Sequence, residues 1–509
     1  MKTKLFVLFV LAGCIIPNLL FSQFTQQGQK FFGTGAVGNA DQGNAVAISG
    51  DGNTAIVGGY QDNNHMGAVW IFTRSGGVWT QQGQKLVGTG AIGTTVYQGI
   101  SVAISSDGNT VIFGGSGDNG GVGAVWIFTR SGGVWTQQGS KLVGSGYVGG
   151  SAQGCSVSIS ADGSTAVEGG DNDGIFYGSI WVFTKTGGVW SQQGPKLYGS
   201  GASGDPSQGL SVSVSGDGNT IIDGGYADNN STGAVWVFTR SGGVWTQQGQ
   251  KLVGVGSVYA SQGYSVSVSA DGNTFVEGGP SDNGSEGCIF IFTRSAGVWT
   301  QQGPVLVGSG AIGNNGNNVF QGTSVAISLD GNTVVEGGYG DGNYMGAAWC
   351  FVRSGGVWTQ VGAKLVGTGT IGAAVYQAFT VAISSDGSTV IEGGEGENTN
   401  VGAAWVFTYP GIGITPISNE VPARFMLMQN YPNPFNPNSK IKFQIAKSSY
   451  AKLIVFDMLG REVAALVNEN LNPGTYEVDF DGSTYASGVY FYVLKTESFT
   501  ETKRMILLK

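Results

Sequence analysis

An Asp-Gly pair returns seven times along this chain at nearly constant spacing, and few folds accommodate that. It stands at Asp51, Asp107, Asp162, Asp217, Asp271, Asp330 and Asp386, in steps of 56, 55, 55, 54, 59 and 56 residues. Asp-Gly between alternating apolar runs is hairpin chemistry, because a tight turn needs residues that tolerate positive φ. A fixed period of this length marks one supersecondary unit stacked many times. The second unit reads QGISVAISSDGNTVIFGGSGDNGGVGAVWIFTRSGGVWTQQGSKLVGSG, from Gln98 to Gly146. It predicts strand A over Ser101–Ser105, B over Thr110–Phe113, C over Gly123–Arg130 and D over Val134–Val143. Four antiparallel strands per unit fit a propeller blade. The strand-D phrase also occurs at Phe24–Gly33, before any A, B or C, and the last unit stops after Thr408 without a D. The N-terminal strand is therefore expected to complete the last blade and close a seven-bladed ring over residues 23–410. Closure protects a sheet edge that would otherwise stay open.

Composition agrees with an all-β chain. Val, Ile, Thr, Phe and Trp fill the runs between turns, and the 91 glycines have no three-residue period, which excludes collagen. Only 11% of residues are charged and the formal net charge is −9, so there is no basic footprint for nucleic acid. Residues 1–22 read as a secretory signal: Lys2 and Lys4, then a mostly apolar Leu5–Leu20, then a cleavage point at Phe21-Ser22-Gln23. Pro17 and Asn18 interrupt the run, which is short for a membrane span, so none is expected in the mature chain. Leu11-Ala12-Gly13-Cys14 looks like a lipoprotein box, but the apolar stretch continues past Cys14, which favours cleavage near Ser22. Cys155, Cys288 and Cys350 sit in different repeats with neither disulfide nor metal spacing.

The phrases GxSVAIS, VxGG and GAVWIF resemble the blade pattern of the FG-GAP family across roughly residues 24–410. That resemblance implies a propeller and an extracellular binding role. The DxDxDG loop of its calcium-binding blades is missing here, so the family's calcium ligands do not carry over. After Tyr409-Pro410 the repeats stop, and residues 411–424 read as a linker. Residues 425–509 carry YPNPFNP at Tyr431–Pro437, DMLGREV at Asp457–Val463, GTYEVDFDG at Gly474–Gly482 and SGVYFYVLKT at Ser487–Thr496. They resemble the type A C-terminal sorting domain of type IX secretion, found in Bacteroidota. The resemblance implies a small Ig-like β-sandwich, recognition by the type IX secretion machinery, and a secreted or outer-surface protein.

No catalytic constellation is visible. His65 is the only histidine, too little for a triad or a typical metal site. The repeated G-x-G-x-x-G phrases precede strands rather than helices, so they are inter-blade loops and not a dinucleotide site. Trp70, Trp126, Trp181, Trp236, Trp349 and Trp405, with Phe290 in the fifth unit, lie mid-strand and are expected to pack between blades. One pattern invites a site. The third residue of every B–C loop is acidic: Asp62, Asp118, Asp173, Asp228, Asp282, Asp341 and Glu397. Strand B also ends in an acid in five blades: Glu168, Asp223, Glu277, Glu336 and Glu392. In a meander the D–A and B–C loops share one face, and the D–A loops vary most, which is where binding resides on a rigid scaffold. The expectation is a non-enzymatic recognition or adhesion protein that binds a glycan or protein ligand there. The acids would assist by holding calcium, whose preference is for hard oxygens, or a cationic ligand. The competing reading of the acids is Asx-turn chemistry. Competing functions are a polysaccharide hydrolase or lyase, or a purely structural surface protein.

Overall fold

The structure, a computed structural model, describes residues 23–257, 259–313, 318–409, 415–418, 421–471, 473–482 and 485–509. The signal segment with Cys14 and part of the 411–424 linker lie outside the described residues. The repeats form seven four-stranded antiparallel sheets. In blade 2 the strands are A (Val102–Ile104), B (Thr110–Gly115), C (Ala124–Ser131) and D (Val134–Gln137). Strand D is shorter than its apolar pattern suggested. The chain turns at Gly139, with φ at +71°, and touches strand C again only where Leu142 bridges Val125. Six of the ten residues of that run are therefore not ladder but the start of the D–A loop.

The ring closes through the N-terminus. Thr25 pairs with Thr408 and Gln26 with Phe407, so the first strand is the missing D strand of blade 7. Phe31 re-pairs with Ala404, as Leu142 does with Val125. At the A–B turns a belt of backbone hydrogen bonds runs from blade to blade. Gly50 N donates to Ser106 O, Ser106 to Ala161, Ala161 to Gly216, Asp217 to Ala270, Ala270 to Leu329, Leu329 to Ser385 and Ser385 back to Gly50, at 2.9–3.1 Å. Ile48, Ile104, Ile159, Val214, Ile327 and Ile383 close in on the axis beside this belt, around a cavity of about 100 Å³. That end of the channel is narrow and rimmed by Gly50, Ser106, Ala161, Gly216, Leu329 and Ser385.

Strand C carries the inter-blade core. Trp70, Trp126, Trp181, Trp236, Trp349 and Trp405 are fully buried, and each indole N–H donates to a D–A loop carbonyl, for example Trp126 Nε1 to Thr89 O at 2.8 Å. An indole that is buried and hydrogen-bonded has no reason to face a ligand.

The C-terminal part is a two-sheet β-sandwich. One sheet orders Thr415–Ser418, Gly474–Asp481, Asn438–Ile445 and Met426–Leu427. The other orders Glu462–Leu471, Ser449–Phe456, Gly488–Lys495 and Thr500–Leu507. Ser439, Ile441, Phe443 and Ile445 alternate inward along their strand, the period-two pattern of a sheet with one wet face. Ile441, Phe443 and Ile445 meet Leu453, Val455, Leu494 and Met505 in one core. Tyr492 anchors the edge, accepting from Asn430 N at 2.8 Å and donating to Met428 O at 2.9 Å.

Candidate functional site

Around the D–A and B–C loops a repeated frame holds variable residues. The frame begins with the Gln that precedes each strand A. Gln98 Oε1 accepts the Gly88 amide at 2.6 Å while its Nε2 donates to Gly88 O at 3.0 Å. Gln42, Gln153, Gln208, Gln262, Gln321 and Gln377 grip their own loops in the same way. Only glycine fits in that grip, because a Cβ on Gly88 would lie 2.1 Å from the Trp126 ring. The first glycine of each G-x-G-x-x-G phrase is thus a packing requirement of the neighbouring tryptophan.

The B–C acids belong to this frame. Asp62 pairs with Lys85, Asp118 with Lys141, Asp173 with Lys196, Asp228 with Lys251, Asp341 with Lys364 and Glu397 with Lys30. All six acids are buried. Their other oxygen takes a D–A loop amide, as Asp118 Oδ1 takes Ile92 N at 2.7 Å and Asp228 Oδ1 takes Ser203 N at 2.7 Å. Each acid pins three segments together, so the expected ring of open acidic ligands is not formed. Asp282 is the exception. Val305 stands where the other blades have Lys, and Asp282 is half-buried beside the Cys288 thiol, whose pKa burial and Asp282 push up.

The five strand-B acids are also displaced from the expected face. Glu168, Asp223, Glu277, Glu336 and Glu392 are fully buried between blades, each paired across the sheet with the aromatic residue of strand C. The four glutamates meet no partner at full hydrogen-bond geometry, and a single backbone amide each, of Gly144, Gly263, Gly308 and Gly367, eases their burial. Burial raises their pKa well above the usual range, and lifts Asp223 to about 8 although Gly209 N donates to it at 2.7 Å. Among the described residues no three carboxylate, thiol or imidazole groups converge as a metal site would require.

At the ends of its loops the frame holds different residues in equivalent places, buried or half-buried. The residue before each Gln has left-handed φ: Asp41, Tyr97, Ala152, Ser207, Ser261, Phe320 and Tyr376, at 54–62°. The residue after strand B is Tyr60, Ser116, Asp171, Tyr226, Pro280, Tyr339 and Glu395. These two columns meet at the mouth of the channel. Tyr339 stacks on Phe320 at 4.8 Å and meets Tyr376 and Phe379 edge-on at 6.1 and 5.6 Å. In blade 3 the B–C loop carries Ile175 where the other blades have Asn64, Gly120, Asn230, Gly284, Asn343 and Thr399, and Phe176 where they have His65, Gly121, Ser231, Ser285, Tyr344 and Asn400. Ile175 is 78% exposed at φ +64° and Phe176 is 52% exposed at φ +63°. A β-branched side chain in that region is strained. None of these residues stood out in the sequence, because their columns are recognised by varying where neighbouring columns repeat.

Seven closed four-stranded blades followed by a two-sheet sandwich define a β-propeller protein with a separate terminal module. That module, residues 429–508, matches the family model of the secretion system C-terminal sorting domain. The chain is accordingly cargo of type IX secretion, delivered to the cell surface or beyond. The edge of the module bears a groove of about 610 Å³ lined by Phe425, Leu427, Phe499 and Lys503 among others. No helix among the described residues is long and apolar enough to cross a membrane. No curated protein matches the chain. Among solved structures it is similar to PorZ, a surface component of the type IX secretion system of Porphyromonas gingivalis, at 12% identity and a TM-score of 0.32, covering 90% of this chain and 64% of that one. It is also similar to the propeller domain of the Trilobed protease from Pyrococcus furiosus, at 10% identity and a TM-score of 0.37, covering 77% and 96%. A putative TolB from Agrobacterium tumefaciens is 11% identical with a TM-score of 0.29, covering 64% and 89%. The propeller fold stands on this chain's own strand pairing.

Proposed function

We propose that the propeller is a non-catalytic recognition or adhesion module that binds a protein or glycan ligand on its D–A/B–C face. The blade phrases similar to the FG-GAP family support an extracellular binding role, and the sorting domain supports the location. The observation that carries the reading is the blade 3 tip, where Ile175 and Phe176 are held exposed in a left-handed backbone. Strained, solvent-facing apolar residues on a rigid scaffold mark contact sites. The opposite end offers only the belted turns.

The test uses the full chain on arrays of glycans and of cell-surface proteins, comparing wild type with Ile175→Asn and Phe176→Asn. Asn stands at the place of Ile175 in blades 1 and 4, so the fold tolerates it. Relief of strain is expected to stabilise the Ile175→Asn protein by about 0.5–1 kcal/mol while binding is lost. Unchanged binding by both variants would remove the tip from the site. Turnover of a polymer by the full chain would replace recognition with catalysis.

A further inference from the structure

The Thr500–Leu507 strand is the outer strand of its sheet in the sorting domain, and only half of that edge is covered. Its register against Gly488–Lys495 is regular, so alternate residues turn their backbone groups away from the ladder. Over the second half of the strand those groups are taken by the segment from Gln429 to Phe435. Ile506 O accepts from Phe435 N at 3.0 Å, and Leu508 N donates to Phe435 O at 2.9 Å. Ile506 N donates to Asn433 Oδ1 at 3.0 Å, and Arg504 O accepts from Gln429 Nε2 at 2.7 Å. The even-numbered residues are thus the outward ones. By the same alternation the amides and carbonyls of Thr500 and Thr502, and the amide of Arg504, face out. Among the described residues none of these groups has a partner.

The bare half of the edge borders the groove of about 610 Å³ between this strand and Met426–Leu427. Phe425 and Phe499 line it, their rings stacked at 5.6 Å. Glu501 is fully engaged, because Oε1 pairs with Lys503 Nζ at 2.8 Å and Oε2 accepts Leu427 N at 3.0 Å. The exposed Arg424 is left as the uncommitted charge of the groove. A row of unpaired amides and carbonyls is a template for another strand, and proteins normally blunt it. This module blunts one half of the edge and leaves the other open beside an apolar wall. We propose that the open half receives an extended strand from a protein of the type IX secretion machinery. The free edge from Thr500 to Arg504 is about 14 Å long, room for about four residues. Main-chain hydrogen bonds hold such a strand, and pockets for its alternate side chains select it. The groove calls for apolar side chains at those places and a carboxylate near Arg424. A second copy of this chain fits less well, since it would bring another Arg424 and a Glu501 already engaged. The inference does not depend on what the propeller binds.

The full chain is expressed in a bacterium with an active type IX system, and the exported fraction is measured for wild type, Thr502→Pro and Thr502→Val. Proline removes the outward amide and leaves the ladder to Gly488–Lys495 in place, because an edge strand tolerates it where the N–H faces away. Export is expected to fall about tenfold in Thr502→Pro, the effect of one lost hydrogen bond to a required partner. It is expected to stay at the wild-type level in Thr502→Val, which keeps the amide, and both purified variants should melt with the wild type. Wild-type export of Thr502→Pro, or an equal loss in Thr502→Val, would overturn the proposal. If Thr502→Pro fails to fold, Thr500→Pro replaces it; failure of both to fold would place these amides inside the ladder and overturn it too. A wild-type dimer in light scattering that Thr502→Pro dissociates, with export unchanged, would give the edge to a second copy instead.

Discussion

In blade 3, Asp173 and Glu168 lie five residues apart, both are buried, and both belong to columns of acids that recur around the ring. Asp173 meets Lys196, the Val148 amide at 2.6 Å and the Ser179 hydroxyl at 2.7 Å. Glu168 faces Trp181 across the sheet, and only the Gly144 amide eases its burial. The first acid organises loops; the second is a burden that burial forces towards the neutral form. Recurrence of a residue type therefore says only that its position repeats. Its role depends on what the next strand places against it.

The largest effect expected from this contrast comes from breaking a satisfied pair. Lys141→Met strands Asp118 in a buried site, and removal of one partner of such a pair costs about 3–5 kcal/mol. Urea unfolding of the full chain measures it. A loss below about 1 kcal/mol would place the pair in the class of solvent-screened surface bridges. The burdened acids should respond in the opposite direction. Blades 1 and 2 carry Val57 and Phe113 where blade 6 carries Glu336, so an apolar side chain suits the place. Glu336→Leu is expected to gain about 1–3 kcal/mol at pH 8, the cost of an unsatisfied buried polar group.

That gain should depend on pH. A carboxyl whose pKa is raised by folding stays protonated in the native protein while the unfolded chain ionises near pH 4. Its contribution is complete below that pH and is lost as pH rises towards the folded pKa, about 8 for Asp223, by at most about 1.4 kcal/mol per pH unit for each group. The turn acids run the other way. Burial raises Asp107, but the Ser105 hydroxyl and the Asn109 amide outweigh it, so its pKa is lowered and its contribution vanishes only in acid. Thermal midpoints of the wild type should therefore fall from pH 5 to pH 8, and the fall should be shallower in Glu336→Leu. Parallel profiles would show that Glu336 is ionised in the folded chain.

The ring itself could be read from the chain because Asp-Gly turns and strand phrases keep their period, and the displaced D phrase at Phe24–Gly33 announces its own closure. The sorting domain was equally readable from YPNPFNP onward. The acids were not. The lysine that answers Asp118 lies 23 residues away, inside a phrase that reads as strand, and only three-dimensional pairing separates a neutralised carboxylate from an open one. The end of strand D was misjudged for a related reason: Gln138–Leu142 has apolar neighbours, yet Gly139 turns it out of the ladder. The channel mouth was missed because repetition draws attention to invariant columns, whereas Tyr339, Glu395 and Ile175 matter by departing from them.

Blade 5 offers the finest form of the comparison, because it has already lost the pair. Val305 replaces the lysine, Phe290 replaces the tryptophan, and Asp282 is the one B–C acid that is not fully buried. Val305→Lys restores the arrangement of its six sister blades around an acid that is still present. Since Asp282 keeps contact with water, the gain should be that of a partly screened ion pair, about 0.2–1 kcal/mol, far below the loss in Lys141→Met. The two values bracket one interaction at two depths of burial. Combining Val305→Lys with Asp282→Asn in a double-mutant cycle isolates the pair from the change in the lysine's own packing. A coupling of zero would mean that the Cys288 thiol already holds Asp282 away from the strand, and that this blade's loop is set by different contacts from the rest of the ring.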